Sequence, residues 1–138
     1  MSPVLLDTGP LVALVVGTDA RHGWAIDQLK SMAPPLITCE AVIAEACFLL
    51  KREKLDPTEV IRLARAGLFE VRFDFGREAA VLQELMTRYR DQPMSFADAC
   101  LVRLAELHPQ SSVWTLDRDF KIYRRNRRSS IPLISPFD

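Results

Sequence analysis

Four acidic residues in this sequence stand where carboxylates are suited to chemistry. Asp7 and Asp117 each end a short apolar run and come just before a turn into a helix. Glu45 is the one acid in the apolar stretch AVIAEACFLL, and Asp98 lies at a helix start in SFADAC. Several carboxylates in one cleft cannot all ionise unless a cation neutralises them. The set therefore predicts a bound divalent metal ion.

The ligand types indicate which metal and which reaction to expect. Carboxylates without histidine or thiolate favour Mg²⁺ or Mn²⁺, which keep several waters and are completed by phosphate oxygens. The chain has only two histidines and no CxxC pair, so it offers few ligands for a histidine metal site or for structural zinc. Such an ion can activate water for in-line attack at phosphorus. We expect phosphodiester hydrolysis, with Asp7, Asp98 and Asp117 at the metal and Glu45 positioning the water.

Each acid also has a simpler structural explanation. Asp7 can cap the following helix or close a turn, and Glu45 can lie on the solvent side of its helix. Ser95-x-x-Asp98 is a capping-box pattern, although an acid in a first helical turn can also point into a cleft. Asp119 can join the acidic group, but capping a short helix is its simpler role. The metal site requires several of these acids to meet.

A basic segment follows the last of these acids. Arg118, Lys121, Arg125 and Arg128 recur at helical spacing, which predicts a short basic helix. Its charged face can follow a nucleic-acid backbone beside the acidic cleft, with Tyr123 available for base stacking. The same pattern also fits a solvated face, or one that binds an acidic protein segment.

Length and composition indicate one domain of an ordinary globular protein. The chain has 138 residues, of which 49% are apolar and 26% charged, with 18 basic and 18 acidic residues. Because the net charge is zero, attraction to nucleic acid must come from local segregation of charge. The three cysteines lie in apolar surroundings, which suits reduced thiols in a cytoplasmic protein. The apolar start lacks a basic leader and is too short to span a bilayer, so no membrane segment is expected.

Strands and helices alternate along the chain. The predicted strands are Val4–Leu6, Leu36–Thr38, Leu68–Phe73, Ser112–Leu116 and Ile131–Ile134. The predicted helices are 11–16, 20–32, 40–53, a helix after Pro57 that ends at Gly67, 77–89 and 95–107. This order predicts a single α/β/α sandwich with a mainly parallel sheet of about five strands, the third near an edge. Right-handed crossovers then place all strand carboxyl ends, and the acids that follow them, on one edge.

With these positions assembled, the sequence resembles the PIN-domain nuclease family, especially the single-domain VapC-type toxins of bacterial toxin-antitoxin pairs. The resemblance covers essentially the whole chain, residues 1–138. It rests on Asp7 in LLDTGPLVAL, Glu45 in AVIAEACFLL, Asp98 in SFADAC and Asp117 in TLDRDF. It implies that these four acids form the catalytic metal site.

The resemblance also implies the surroundings and partners of that site. Thr8 and Thr115 would be small hydroxyl neighbours that orient the acids, and Asp119 an auxiliary acid. The implied activity is Mg²⁺- or Mn²⁺-dependent endoribonuclease cleavage of structured RNA, by a homodimer that a cognate antitoxin holds inactive. RNA processing without an antitoxin is the alternative within the family.

Two other functional classes compete with a nuclease. Aspartyl-phosphate chemistry requires a second acid two residues after the acid that ends the strand, where this chain has Gly9. It also requires a lysine at the sheet edge, and no lysine of this sequence follows an apolar strand run. A binding module with structural acids, and a basic helix that holds an acidic partner, leaves Glu45 in an apolar helix unexplained. A saturable, carboxylate-dependent Mn²⁺ site distinguishes the nuclease from the binding module.

Overall fold

Short parallel strands form the centre of the fold, which a computed structural model describes for residues 2–137. The strands are β1 (Val4–Leu6), β2 (Leu36–Thr38), β3 (Phe69–Val71), β4 (Ser112–Trp114), β5 (Arg124–Arg125), β6 (Ser129–Ser130) and β7 (Leu133–Ile134). Five of them form one parallel sheet in the order β3-β2-β1-β4-β7, while β5 and β6 form a separate antiparallel hairpin. The predicted α/β sandwich with a parallel sheet is confirmed, and β3 lies at an edge as expected.

Six helices flank the sheet within the described residues. They are α1 (Thr8–Val15), α2 (His22–Leu29), α3 (Glu40–Arg52), α4 (Thr58–Arg65), α5 (Phe75–Arg88) and α6 (Phe96–Leu107). Helix α1 begins three residues earlier than predicted, because the Asp7 side chain accepts a hydrogen bond from the Thr8 N–H and starts the helix directly. None of these helices is long and apolar enough to cross a membrane.

The strand order creates a crevice at one edge of the sheet. From β1 the chain moves outward to β2 and β3, and it then returns to β4 on the other side of β1. Right-handed crossovers therefore place α1 to α4 on one face of the sheet and α5 and α6 on the other. The crevice where strand order reverses lies outside the carboxyl ends of β1 and β4. Those two ends carry Asp7 and the segment from Thr115 to Asp117.

The core beneath this edge is apolar and closely packed. Leu5, Leu6 and Trp114 of the two central strands are completely buried. The three cysteines are free thiols, as predicted, and Cys39 and Cys100 are buried. Central strands buried on both faces hold the residues that follow them in a fixed position.

The basic segment after Asp117 does not form the predicted helix. It consists of a 3-10 turn, Arg118–Lys121, followed by the β5–β6 hairpin. Asn126 and Arg127 adopt positive φ angles of 51° and 68°, as residues of a tight hairpin turn do. The backbone N–H of Asn126 donates to the Glu106 carboxylate, an acceptor on α6 that only the fold supplies.

Candidate active site

Asp7 is held at the carboxyl end of β1 by two hydrogen bonds. Its Oδ1 accepts from the Thr8 backbone N–H at 2.8 Å, and its Oδ2 accepts from the Thr115 hydroxyl at 2.7 Å. The side chain is buried, with an exposed fraction of 6% for the residue. Asp7 therefore caps α1, as its simpler explanation proposed, and it also faces the crevice between β1 and β4.

The Thr115 hydroxyl connects two of the predicted site acids. It donates to Asp7 and accepts a hydrogen bond from the Asp117 backbone N–H at 2.9 Å. The Asp117 carboxylate in turn accepts from the Asp119 N–H at 2.8 Å and caps the 3-10 turn. The expectation that Asp119 is the cap was wrong, because the acid that follows the strand already occupies that position.

Asp98 enters the crevice from the first turn of α6. The capping box with Ser95 is present: the Asp98 N–H donates to Ser95 Oγ at 3.0 Å, and the Ser95 N–H donates to Asp98 Oδ2 at 3.2 Å. The Tyr123 hydroxyl donates to the same Oδ2 at 3.0 Å. Tyr123 is completely buried, so the predicted use of its ring for base stacking was wrong. Its hydroxyl instead orients Asp98.

The four predicted acids line one cleft of about 540 Å³. The cleft walls are formed by these residues: Asp7, Thr8, Gly9, Glu45, Leu49, Asp98, Leu116, Asp117, Arg118 and Phe137. Glu45 is exposed and does not face the core, so the reason given for its importance was wrong. The helix that carries it nevertheless brings its carboxylate to the cleft wall.

Gly9 permits the close packing of α1 against this cleft. A Cβ atom at position 9 would lie 3.0 Å from the Leu116 Cβ, which is tighter than ordinary packing allows. A glycine here therefore lets the start of α1, and with it Asp7 and Thr8, approach the segment that carries Asp117.

The buried acids bind protons more tightly than exposed ones do. Burial raises the pKa of Asp7 to about 7, although hydrogen bonds from Thr115 and Thr8 lower it, and the charges of Asp98 and Asp117 raise it further. Burial also raises the pKa of Asp98, with a smaller contribution from the charge of Asp117. The pKa of Asp119 is raised by partial burial and by Asp117. The cleft thus favours a cation that would relieve this repulsion.

The residues fit a hydrated divalent metal better than a fully enclosed one. Within residues 2–137, no three His, Cys, Asp or Glu side chains are grouped so that they could hold a metal ion. Mg²⁺ commonly binds through one or two carboxylates and keeps several waters. The cleft supplies such oxygen donors, and the buried hydroxyl of Thr8 has no hydrogen-bond partner among the described residues. The donor set therefore suits Mg²⁺ or Mn²⁺ with water completing the coordination.

The predicted nucleic-acid-binding residues are not on one common face. Arg118 lines the cleft, whereas Lys121 and Arg128 are exposed elsewhere in the segment. Arg125 donates to the carbonyl of Pro109 at 2.9 Å, beyond the C-terminal end of α6. Asp98 lies at the other end of that helix, eight residues from Glu106, or about 12 Å along the axis. The hairpin is therefore anchored away from the acids, and Arg118 is the cation placed beside them.

Phe137 is a cleft residue that sequence reasoning missed. Its ring lies beneath the guanidinium of Arg118, with 4.2 Å between Arg118 Cζ and the ring centroid. No local motif marks this phenylalanine, which reaches the cleft because β7 pairs with β4 and returns the chain to the same edge.

The comparison with known families agrees with this geometry. The sequence model of the PIN domain family matches residues 4–126, which include all four acids that line the cleft. The chain belongs to the PIN domain family. The matched range also contains β1 to β4 and the helices α1 to α6, whereas β7 of the sheet and Phe137 of the cleft lie beyond it.

Individual relatives of this PIN domain are found by sequence and by structure. Ribonuclease VapC26 of Mycobacterium tuberculosis (strain ATCC 25618 / H37Rv) is 27% identical over 117 residues, 83% of this chain and 87% of that protein. The crystal structure of Mycobacterium tuberculosis VapC20, a Sarcin-Ricin loop cleaving toxin, superimposes with a TM-score of 0.77 at 22% identity, over 86% of this chain and 93% of that one. A toxin-antitoxin complex from Klebsiella pneumoniae gives a TM-score of 0.66 at 18% identity, over 98% of both chains.

Proposed function

We propose that this PIN domain, spanning residues 1–138, is a Mg²⁺- or Mn²⁺-dependent endoribonuclease that hydrolyses RNA phosphodiester bonds. The observation that carries the proposal is the meeting of Asp7, Asp98 and Asp117 in one cleft at the strand switch point, with Thr115 bonded to Asp7 and to the backbone of Asp117. Buried carboxylates that repel one another are unfavourable for folding, so their collection in a cleft points to ligand binding.

Each residue of the cleft has a distinct role in this reaction. Asp7, Asp98 and Asp117 would hold the divalent ion, one or two of them directly and the rest through its waters, and the ion would supply charge neutralisation and water activation when bound. Glu45 is exposed at the cleft wall and orients the attacking water, whose proton its carboxylate can accept. Thr115 holds Asp7 in place by its hydrogen bond.

Two further polar residues and the basic residues assist the site. The Thr8 hydroxyl is buried and available to a water or an ion, and Asp119 adds negative charge behind Asp117. Arg118 lies in the cleft wall, and the exposed Lys121 and Arg128 add positive charge that favours an RNA backbone. Arg125 contributes less to RNA binding because its guanidinium is engaged by Pro109.

The relatives support a more specific biological role. One is named as a VapC ribonuclease, one as a toxin that cleaves the Sarcin-Ricin loop, and one is a toxin-antitoxin complex. We therefore propose that this chain is the toxin of a type II toxin-antitoxin pair and binds a cognate antitoxin. A homodimer in the cytoplasm is part of the same proposal, and the three free thiols suit that compartment.

The experiment that tests the nuclease compares cleavage of a labelled Sarcin-Ricin loop hairpin and a matched DNA hairpin. Native protein, Asp7→Asn and Asp91→Asn are each assayed in Mg²⁺, Mn²⁺ and EDTA. Asp91 is an exposed aspartate outside the cleft and serves as the matched control. We expect metal-dependent RNA cleavage by native protein and Asp91→Asn, and at least a 100-fold loss in Asp7→Asn. Failure of native protein both to cleave and to bind Mn²⁺ saturably contradicts the proposal and favours a binding module.

The toxin role is tested by expression in a bacterial host. Induction of the native chain is expected to arrest growth, and induction of Asp7→Asn is not. If the purified native protein is an active nuclease but cells grow equally well with both chains, the result would favour an RNA-processing role without an antitoxin.

A further inference from the structure

A stacked pair of side chains stands in the cleft wall next to the acids. The guanidinium of Arg118 lies over the ring of Phe137, with its Cζ 4.2 Å from the ring centroid. Arg118 is exposed, whereas Phe137 is half-buried, and both line the cleft that contains Asp7 and Asp117. The pair thus places a cation on an aromatic surface in the cleft wall.

Arg118 is not used by the fold in the way that neighbouring arginines are. Arg124 donates to backbone carbonyls, Arg125 donates to Pro109, and Arg127 pairs with Glu84. Within residues 2–137, the guanidinium of Arg118 makes no hydrogen bond and no ion pair, although Asp117 and Asp119 flank it in sequence. Its planar set of N–H donors is therefore open to a ligand.

The charge of the cleft explains why such a cation is needed there. Four carboxylates line the cleft, and among the described lining residues Arg118 is the one cation. An RNA backbone is an anion that these carboxylates repel. An arginine that collapsed onto Asp117 would be neutralised, and it would also occupy an oxygen that the metal requires.

We propose that Phe137 is a positioning residue that holds Arg118 away from the carboxylates and ready to bind an RNA phosphate next to the cleaved bond. This inference rests on the proposed nuclease function. The ring attracts the guanidinium by a cation–π interaction and limits its rotamers before RNA binds. Arg118 then contacts phosphate oxygens through its planar N–H donors, the geometry that arginine favours for phosphate.

RNA binding tests the pair separately from cleavage. The probe is the RNA hairpin of the cleavage assay, labelled with a fluorophore. The protein carries Asp7→Asn so that it does not cleave the RNA during the measurement. Phe137→Leu keeps an apolar side chain without the aromatic face, Phe137→Tyr keeps the ring, and Arg118→Gln removes the charge. Arg65→Gln, at an exposed arginine of α4 outside the cleft, is the matched control.

The expected pattern depends on the ring and the charge acting together. Phe137→Leu should weaken RNA binding about two- to fivefold, the range of an exposed cation–π contact, and Phe137→Tyr should restore native affinity. Arg118→Gln should lower the slope of log affinity against log salt by about 1. Phe137→Leu should then have no further effect in the Arg118→Gln background. In the active enzyme, Phe137→Leu should raise KM and leave kcat unchanged.

The outcomes separate this inference from the nuclease proposal. Suppose that the native chain cleaves RNA, and that Phe137→Leu changes neither the KM of the active enzyme nor the RNA affinity of the Asp7→Asn protein. This result overturns the positioning role of Phe137 and leaves the nuclease proposal standing. Additive effects of Phe137→Leu and Arg118→Gln also overturn it, because the two residues then act independently. If Phe137→Leu does not fold, Arg118→Gln is compared with Arg65→Gln, and an equal salt slope for the two overturns the role of Arg118.

Discussion

The Asp7 carboxylate is expected to weaken folding in the absence of metal, and Asp7→Asn tests this directly. The residue is 6% exposed, and burial raises its pKa to about 7. A folded-state pKa above the unfolded value means that the folded chain binds the proton more tightly. The stability contributed by this proton is present below about pH 4, and it is lost as the pH rises towards 7.

The size of the effect follows from the two pKa values. The pKa of Asp7 rises from its ordinary value of 3.8 to about 7. At about 1.36 kcal/mol per pKa unit, this rise corresponds to a destabilisation of about 4 kcal/mol when the carboxylate is ionised. Asparagine removes the charge, but its amide nitrogen cannot accept the hydrogen bond that Asp7 accepts from Thr115. The loss of this bond lowers the free energy of unfolding by about 1 kcal/mol. Asp7→Asn should therefore raise the free energy of unfolding by about 3 kcal/mol at pH 8. At pH 4 the charge costs only about 0.5 kcal/mol, so the lost hydrogen bond should leave the variant less stable by about 0.5 kcal/mol.

The assay is urea unfolding of native protein, Asp7→Asn and Asp91→Asn at pH 4, 6 and 8 in EDTA, which keeps cations from neutralising the cleft. Asp91 is exposed, so its substitution should change the free energy of unfolding by less than about 0.5 kcal/mol at every pH. A difference between Asp7→Asn and native protein that is the same at pH 4 and pH 8 would refute the reasoning. In that case Asp7 ionises in the folded state without penalty.

Two other residues around the cleft give further predictions. Tyr123→Phe removes a buried donor to Asp98 and should lower the free energy of unfolding by about 1–2 kcal/mol, with metal-dependent cleavage reduced about 10-fold or more; unchanged unfolding in urea would contradict this. Gly9→Ala places a Cβ 3.0 Å from Leu116 and should destabilise by about 1 kcal/mol. Gly23→Ala, in α2 with nothing within 4 Å, should stabilise by up to about 1 kcal/mol, and a thermal melt showing equal shifts for both variants would contradict the packing argument.

Local sequence patterns predicted the elements that carry the acids. The apolar strands before Asp7 and Thr115 and the capping box at Ser95 appear close to where the pattern placed them. These features depend on interactions between residues that are near in sequence, such as a cap with the helix it starts. For that reason, the expectation that the acids meet at one sheet edge could be made without a structure.

The segment after Asp117 shows where local patterns fail. Basic residues at helical spacing predicted a helix, but the segment forms a 3-10 turn and a hairpin. The backbone N–H of Asn126 in the hairpin donates a hydrogen bond to the Glu106 carboxylate of α6. Tyr123 seemed available for RNA, yet the fold buries it against Asp98. Charged residues specify no buried face by their spacing alone, so contacts with distant helices decide the conformation of such a segment.

The sequence by itself determined the strand–helix order, and with it the parallel sheet and the edge at which the acids collect, because apolar periodicity and helix capping are local properties. Only the tertiary structure decided how each acid is held and how strongly it binds a proton. Thr115 lies 108 residues from Asp7, and Phe137 reaches Arg118 through the pairing of β7 with β4. Burial, hydrogen bonding and charge repulsion at the cleft arise from these long-range contacts, which no short stretch of sequence contains.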